Sequence, residues 1–287
     1  GTVGAMSPAT ASPSAPYVSM RIETQEPGIA EVILQGPGKG NSLGPDFFRE
    51  LPAAFRALDA DPAVRVVVLR GQGGHFTYGL DLFAMAGTLG SLVAGAPGAS
   101  DRLRLLALIH ELQDAITSVA RCRKPVVAAV AGYCIGGGLD LIAACDVRLA
   151  SRDAKLSLRE VKVGMVADLG SLQRLPPLIG EGNTRELAFT GGDIDAARAL
   201  RIGLVNEVFE SEAELLDGAR ALARTIAAQS PLVVQGIKPV MNDRSERAAA
   251  DGLRTDALWN SAFLPSEDVQ EALAAFAERR PPAFRGR

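Results

Sequence analysis

Histidine and cysteine are scarce in this chain of 287 residues, which holds 2 His and 3 Cys. His75 and His110 lie far apart in sequence, so histidine-based metal sites and Ser-His-Asp triads lack their usual material. Cys122, Cys134 and Cys145 are odd in number and form no C-x-x-C pair, which points to reduced, buried thiols and not to a disulfide framework. There is no uninterrupted apolar run of about 18 residues, so no membrane span is expected. No long basic run occurs either, and 30 Lys+Arg against 33 Asp+Glu give a net charge of −3, which disfavours nucleic acid as the partner. The G-x-G-x-x-G and G-x-x-x-x-G-K-[ST] patterns are missing, which disfavours those two kinds of nucleotide-phosphate site.

What is present is a large core. Hydrophobic residues make up 47% of the chain and charged residues 22%, the balance of a globular protein. At roughly 150 residues per domain, the length allows one or two domains. Residues 1–17 read as a disordered leader with neither the basic nor the apolar region of a secretory signal. The chain ends Arg285-Gly286-Arg287 and not Ser-Lys-Leu, so a cytoplasmic location is the expectation.

From Ser19 onward the pattern alternates between strand and helix. Ser19–Gln25 and Ile29–Leu34 flank Glu26-Pro27-Gly28 and read as a hairpin. Pro45–Ala60 and Asp101–Val119 repeat apolar residues at helical spacing. Val64–Leu69, Pro125–Ala131 and Val147–Ala150 read as buried strands, with Gly136–Ala144 a helix between the last two. This alternation predicts an α/β fold. After Ser211 the period is helical to Arg280, with no convincing strand.

Two glycine-rich segments follow buried strands: Gly71–Leu82 and Gly132–Asp140. The second runs through Gly136-Gly137-Gly138 into a helix start, where unpaired N–H groups and a positive dipole end suit an anion or oxyanion. Two backbone N–H groups, one from each segment, could converge on one carbonyl oxygen. Asp140, Glu160 and Asp168 are the acids of interest. Asp168 in particular sits in apolar, glycine-interrupted surroundings. Either these acids are solvated or dipole-favoured carboxylates, or they are buried with raised pKa for proton transfer.

Phe76-Thr-Tyr-Gly-Leu-Asp-Leu82, Cys134-Ile-Gly-Gly-Gly-Leu-Asp-Leu141 and Ala144-Cys-Asp-Val-Arg148 resemble the crotonase (enoyl-CoA hydratase/isomerase) superfamily, over nearly all of residues 20–280. Arg159–Pro176, Glu186–Thr190 and Trp259-Asn260 are most similar to its dienoyl-CoA isomerases. The resemblance implies a crotonase-like α/β core of repeated ββα units in a spiral over residues 18–210. A helical C-terminal trimerisation region over 211–287 would follow it. It further implies an oxyanion hole of the backbone N–H groups of Leu80 and Gly137. Tyr78, Gly79, Leu80, Asp81 and Leu82, with Gly137, would line the acyl-thioester and CoA pocket.

The same resemblance places Asp140 and Glu160 where hydratases carry two glutamates, and Asp168 where dienoyl-CoA isomerases carry an extra acid. The implied reaction is a shift of 3,5-dienoyl-CoA to 2,4-dienoyl-CoA, with Glu160 as base at C2 and Asp168 as acid at C6, or these two roles exchanged, and Asp140 tuning them. A 2-enoyl-CoA hydratase is the enzymatic alternative, and a non-catalytic scaffold or RNA-binding homologue the other. No metal and no cofactor are implied beyond coenzyme A as part of the substrate. The expected partners are an acyl-CoA and further copies of the chain, as a trimer or hexamer, with no nucleic acid and no membrane.

Overall fold

The computed structural model describes residues 17–36, 39–93 and 97–287. The expected leader therefore lies outside the described residues except for Tyr17, which packs against the core. The expected hairpin forms from β1 (Met20–Glu26) and β2 (Ile29–Leu34), paired antiparallel. Helix α1 (Pro45–Ala60) follows, with Pro45 at its start, where proline's fixed φ suits the first turn. Its buried stripe is Phe47, Phe48, Leu51, Phe55 and Leu58. Next come β3 (Val66–Gly71), α2 (Leu82–Val93), α3 (Ala99–Arg121), β4 (Val126–Val130) and β5 (Tyr133–Ile135). Helix α4 (Gly137–Ala143) leads to β6 (Val147–Ser151) and β7 (Lys155–Ser157). After a 3-10 turn at Glu160–Val163 come α5 (Ser171–Arg174), α6 (Pro176–Ile179), α7 (Glu181–Thr190), β8 (Asp193–Asp195), α8 (Ala196–Arg201) and β9 (Glu207–Phe209). The chain closes on α9 (Glu212–Ala227), α10 (Pro231–Phe263) and α11 (Glu267–Glu278).

The main sheet has the order β1-β2-β3-β4-β6-β9, parallel from β2 onward. Its central strands are apolar on both faces because both faces are covered. On β3, Val67 and Leu69 face the core that includes α1, α3 and α4, while Val66 and Val68 meet Leu215, Ala219 and Ala223 of α9. Alternate residues of β4 divide in the same way. Helix α9 is fixed at its start by Ser211, whose Oγ accepts from the Glu214 N–H at 3.2 Å. It is also tied to β2 by Arg220 Nε, 2.6 Å from the buried Glu31.

A second sheet, β5-β7-β8, was not visible in the sequence. Each of its strands is three residues long, too short for a two-residue alternation to declare itself. Helix α2 also went unseen, since its glycine-rich approach reads as a loop. Asp81 starts it by accepting the Ala84 N–H at 2.9 Å. Among the described residues, no helix is long and apolar enough to cross a membrane.

Candidate active site

The small sheet brings the two glycine-rich segments together. Thr77 N–H donates to the Tyr133 carbonyl at 2.9 Å, and Ile135 N–H returns to the Thr77 carbonyl at 3.1 Å. On the other side of β5, Ile135 pairs with Ser157 of β7, and Gly136 N–H donates to the Ser157 carbonyl at 2.8 Å. Residues 77–80 and 136–138 are thus laced to one short strand. A Cβ built on Gly79 would lie 3.7 Å from the Gly137 nitrogen and only 2.5 Å from the Ile135 oxygen. Gly136 takes φ +53° and ψ −118°, a conformation that side chains resist, and a Cβ on Gly138 would overlap Thr77. Backbone crossing at this range explains the glycines. The N–H groups of Leu80 and Gly137 make no hydrogen bond among the described residues.

The three acids meet here. Asp140 lies in the first turn of α4, completely buried, and its Oδ1 accepts the Ser171 N–H at 2.7 Å. Its Oδ2 has no partner among the described residues. Burial pushes Asp140 up to about 6, against the pull of Ser171, of the Arg174 charge and of Glu160. Glu160 follows β7 directly, so the β5–β7 pairing carries it to Gly136, where a Cβ would stand 3.2 Å from its Oε1. Its carboxyl is raised well above the ordinary range by burial first and by the charge of Asp140 second. The charge of each carboxyl bears on the proton of the other, so Asp140 and Glu160 titrate as a unit. Asp168 is pushed up to about 7 by burial, opposed by the Asn260 side chain, whose Nδ2 donates to Oδ2 at 2.7 Å. The charge of Asp140 acts on both other acids. Of the alternatives open in the sequence, the fold produces raised pKa values, with Asp140 buried and Glu160 and Asp168 half-buried.

An apolar cleft of about 430 Å³ adjoins this cluster, lined among others by Leu158, Val161, Met165, Leu172, Ala188 and Phe189. Of the three acids only Glu160 stands on its wall, while Val166 and Ala167, just before Asp168, form part of it.

Several neighbours were missed by sequence reasoning. Gln113 fixes the acid loop from α3, its Nε2 donating to the carbonyls of Asp168 at 2.8 Å and Leu253 at 2.9 Å. Asp256 of α10, raised to about 6 by burial, accepts from Gln173 Nε2 at 2.7 Å. A buried acid within a helical apolar pattern was the available signal for Asp256; Gln113 gave none. Among the expected pocket residues, Tyr78 packs its ring against His75 and Tyr133, at centroid distances of 5.1 and 5.4 Å, and Asp81 serves as the cap of α2.

The family model described as enoyl-CoA hydratase/isomerase matches residues 24–287, and the chain belongs to that family of enzymes. It is 41% identical over 273 residues to the mitochondrial Delta(3,5)-Delta(2,4)-dienoyl-CoA isomerase of Dictyostelium discoideum, covering 94% of this chain and 92% of that one. Against the peroxisomal Delta(3,5)-Delta(2,4)-dienoyl-CoA isomerase of Arabidopsis thaliana it is 43% identical over 260 residues, 89% of this chain and 92% of the relative. The crystal structure of an enoyl-CoA hydratase/isomerase from Pseudoalteromonas atlantica superposes with a TM-score of 0.81 at 25% identity, covering 93% of this chain and all of that one.

One expectation is corrected by these relatives. The cytoplasmic location drawn from composition and the C-terminal tripeptide does not stand, because the relatives are named mitochondrial or peroxisomal. Compartment is set by address segments that receptors read, and the physics of a folded core carries no trace of them.

Proposed function

We propose that this enzyme is an isomerase that converts 3,5-dienoyl-CoA to 2,4-dienoyl-CoA. The observation that carries the reading is the gathering of Asp140, Glu160 and Asp168 into one electrostatically coupled cluster beside two unpaired backbone N–H groups. The names of the Dictyostelium and Arabidopsis relatives support it.

The thioester oxygen accepts from the Leu80 and Gly137 N–H groups, which makes the C2 proton acidic and stabilises the extended enolate. Losing one donor of this kind costs about 10²–10³ in rate in characterised enzymes. Glu160, beside Gly136, takes the C2 proton when the pair carries one proton and that proton rests on Asp140. Electron density passes along the chain, the double bonds shift, and Asp168 gives its proton to C6. One proton leaves C2 and one arrives at C6, and the turnover closes when the proton on Glu160 returns to Asp168. A carboxyl titrating near 7 is well matched to that delivery. The apolar cleft beside Glu160 suits the acyl chain, and Tyr78 to Leu82 suit the thioester and pantetheine. No resident cofactor is needed, since coenzyme A arrives with the substrate.

The same reading carries a trimer, or trimers paired into hexamers. Leu232, Val233, Val240 and Met241 on α10 are exposed and apolar, as are Trp259 and Phe263, whose rings lie 4.6 Å apart.

The test is ultraviolet monitoring of 3,5-octadienoyl-CoA with wild type and Asp168→Asn. Wild type is expected to turn over and the folded variant to lose about 10²–10⁴ in rate. Undiminished isomerisation by Asp168→Asn, or faster hydration of crotonyl-CoA by wild type, overturns the assignment.

A further inference from the structure

Helix α5 is a single turn, yet it serves three carboxylates. Ser171 N–H holds Asp140, Gln173 holds Asp256, and Arg174 holds Glu246 of α10 through Nε at 3.0 Å and Nη2 at 2.8 Å. Arg174 Nη2 also reaches Thr117 Oγ1 of α3 at 3.3 Å. The remaining nitrogen, Nη1, is buried with no hydrogen-bond partner among the described residues. It occupies the space a side chain on Gly170 would fill, directly against the peptide that leads to the Ser171 N–H.

A buried ion pair is weak grounds for stability, because an apolar pair of the same shape often does as well or better. An unpaired guanidinium N–H adds a further cost. Both costs make sense if the charge itself is used. The two partners are also unequal: the Arg174 side chain is 5% exposed and that of Glu246 is 23% exposed, beside a polar cavity of about 240 Å³. Water screens the glutamate more than the arginine, so the field reaching inward is positive.

We propose that Arg174 is a positioning residue whose charge, moderated by Glu246, keeps the Asp140–Glu160 pair singly ionised and so ready to accept a proton. Besides burial and Ser171, the groups acting on Asp140 are Arg174 and Glu160, and of these Arg174 supplies the positive charge. Asp140 in turn raises Glu160, Asp168, Asp256 and the Cys134 thiol. Around Arg174 stand Glu246 and Thr117, and across the polar cavity His110, Asp114, Arg121 and Arg254. The pull of Arg174 on Asp140 opposes the upward push of burial, in keeping with this role. The inference rests on the proton-transfer reading of the acids given above.

The experiment compares wild type, Arg174→Gln, Arg174→Lys and Glu246→Gln by carbon-13 NMR titration of the Asp140 carboxyl and by the acid limb of kcat/KM for 3,5-octadienoyl-CoA. Removing the cation is expected to move both upward by about 1 pH unit. Removing the glutamate charge moves both downward, and Arg174→Lys stays close to wild type. Opposite shifts from the two charge deletions are the signature, since a merely structural role gives no reason for them. Shifts of the same sign, or none, overturn the proposal. Should Arg174→Gln not fold, Glu246→Gln and Arg174→Lys still decide the sign. If wild type does not isomerise the dienoyl-CoA, the proposed function falls, and the NMR titration still judges this inference.

Discussion

Asn260 donates through Nδ2 to Asp168 Oδ2 at 2.7 Å and to the Val166 carbonyl at 2.9 Å, joining α10 to the acid-bearing loop across more than ninety positions of sequence. Helix α10 is therefore part of the candidate site in its own chain. Asn260, Asp256 and Glu246 all come from α10 and reach Asp168, Gln173 and Arg174.

The Asn260 bond favours the ionised form of Asp168, so Asn260→Leu is expected to raise the Asp168 pKa above its value of about 7. A proton donor with a higher pKa stays protonated to higher pH. The alkaline limb of kcat/KM should move upward by about 1 pH unit, the equivalent of a hydrogen bond to charge worth roughly 1.5 kcal/mol. A pH–rate profile with 3,5-octadienoyl-CoA checks it, and a downward move would assign Asp168 a different role.

Gly79 has φ +85°, and a Cβ there would come within 2.5 Å of the Ile135 carbonyl oxygen. Gly79→Ala should push residues 78–80 away from Gly137 and misalign the two N–H groups. A loss of about 10² in kcat is expected, the scale of one oxyanion donor. Strain at a positive φ should also cost about 1–3 kcal/mol of stability. Steady-state kinetics and thermal unfolding report the two effects separately. Unaltered kcat in the folded variant would count against convergence of the N–H groups on the substrate.

Asp168 holds its proton more tightly in the folded protein, at about 7, than in the unfolded chain, where the ordinary value is 3.8. The stabilisation from that proton is complete below pH 3.8 and is lost as pH climbs to about 7. Asp140 and Asp256, each raised to about 6, act in the same direction. Asp168→Asn keeps an acceptor for Asn260 and removes one titration, so it should lose less stability than wild type between pH 4 and pH 8, by ~2–4 kcal/mol. Urea unfolding at both pH values measures this. Equal losses in the two proteins would show Asp168 to be solvated.

The long elements were legible in the chain because their signals are local. Val66–Gly71 and Val126–Val130 were marked by runs of Val and Ala, α1 by its spacing of Phe and Leu, and the helical tail by its period. Strand boundaries moved by up to two residues, as with β3, expected from Val64 and beginning at Val66. The acids and glycines of the candidate site stood out too, since a triple glycine before a helix and acids in apolar stretches are unusual choices.

The three-residue strands β5, β7 and β8 were illegible, for their stability comes from pairing with residues distant in sequence. Those strands nevertheless set which groups of the candidate site stand together. Without the Ile135–Ser157 pairing, Glu160 has no reason to stand beside Gly136. The exposed Trp259 and Phe263 carry the same lesson, because a four-residue spacing suits a core stripe and an open surface equally.

By itself the sequence determined which chemical groups exist, since residue type and local spacing fix helices, strands and the supply of acids, glycines and free N–H groups. Only the tertiary structure decided which of these groups stand together. Desolvation and charge proximity raise a pKa through the surroundings, and here those surroundings are assembled from β5, α4, α5 and α10.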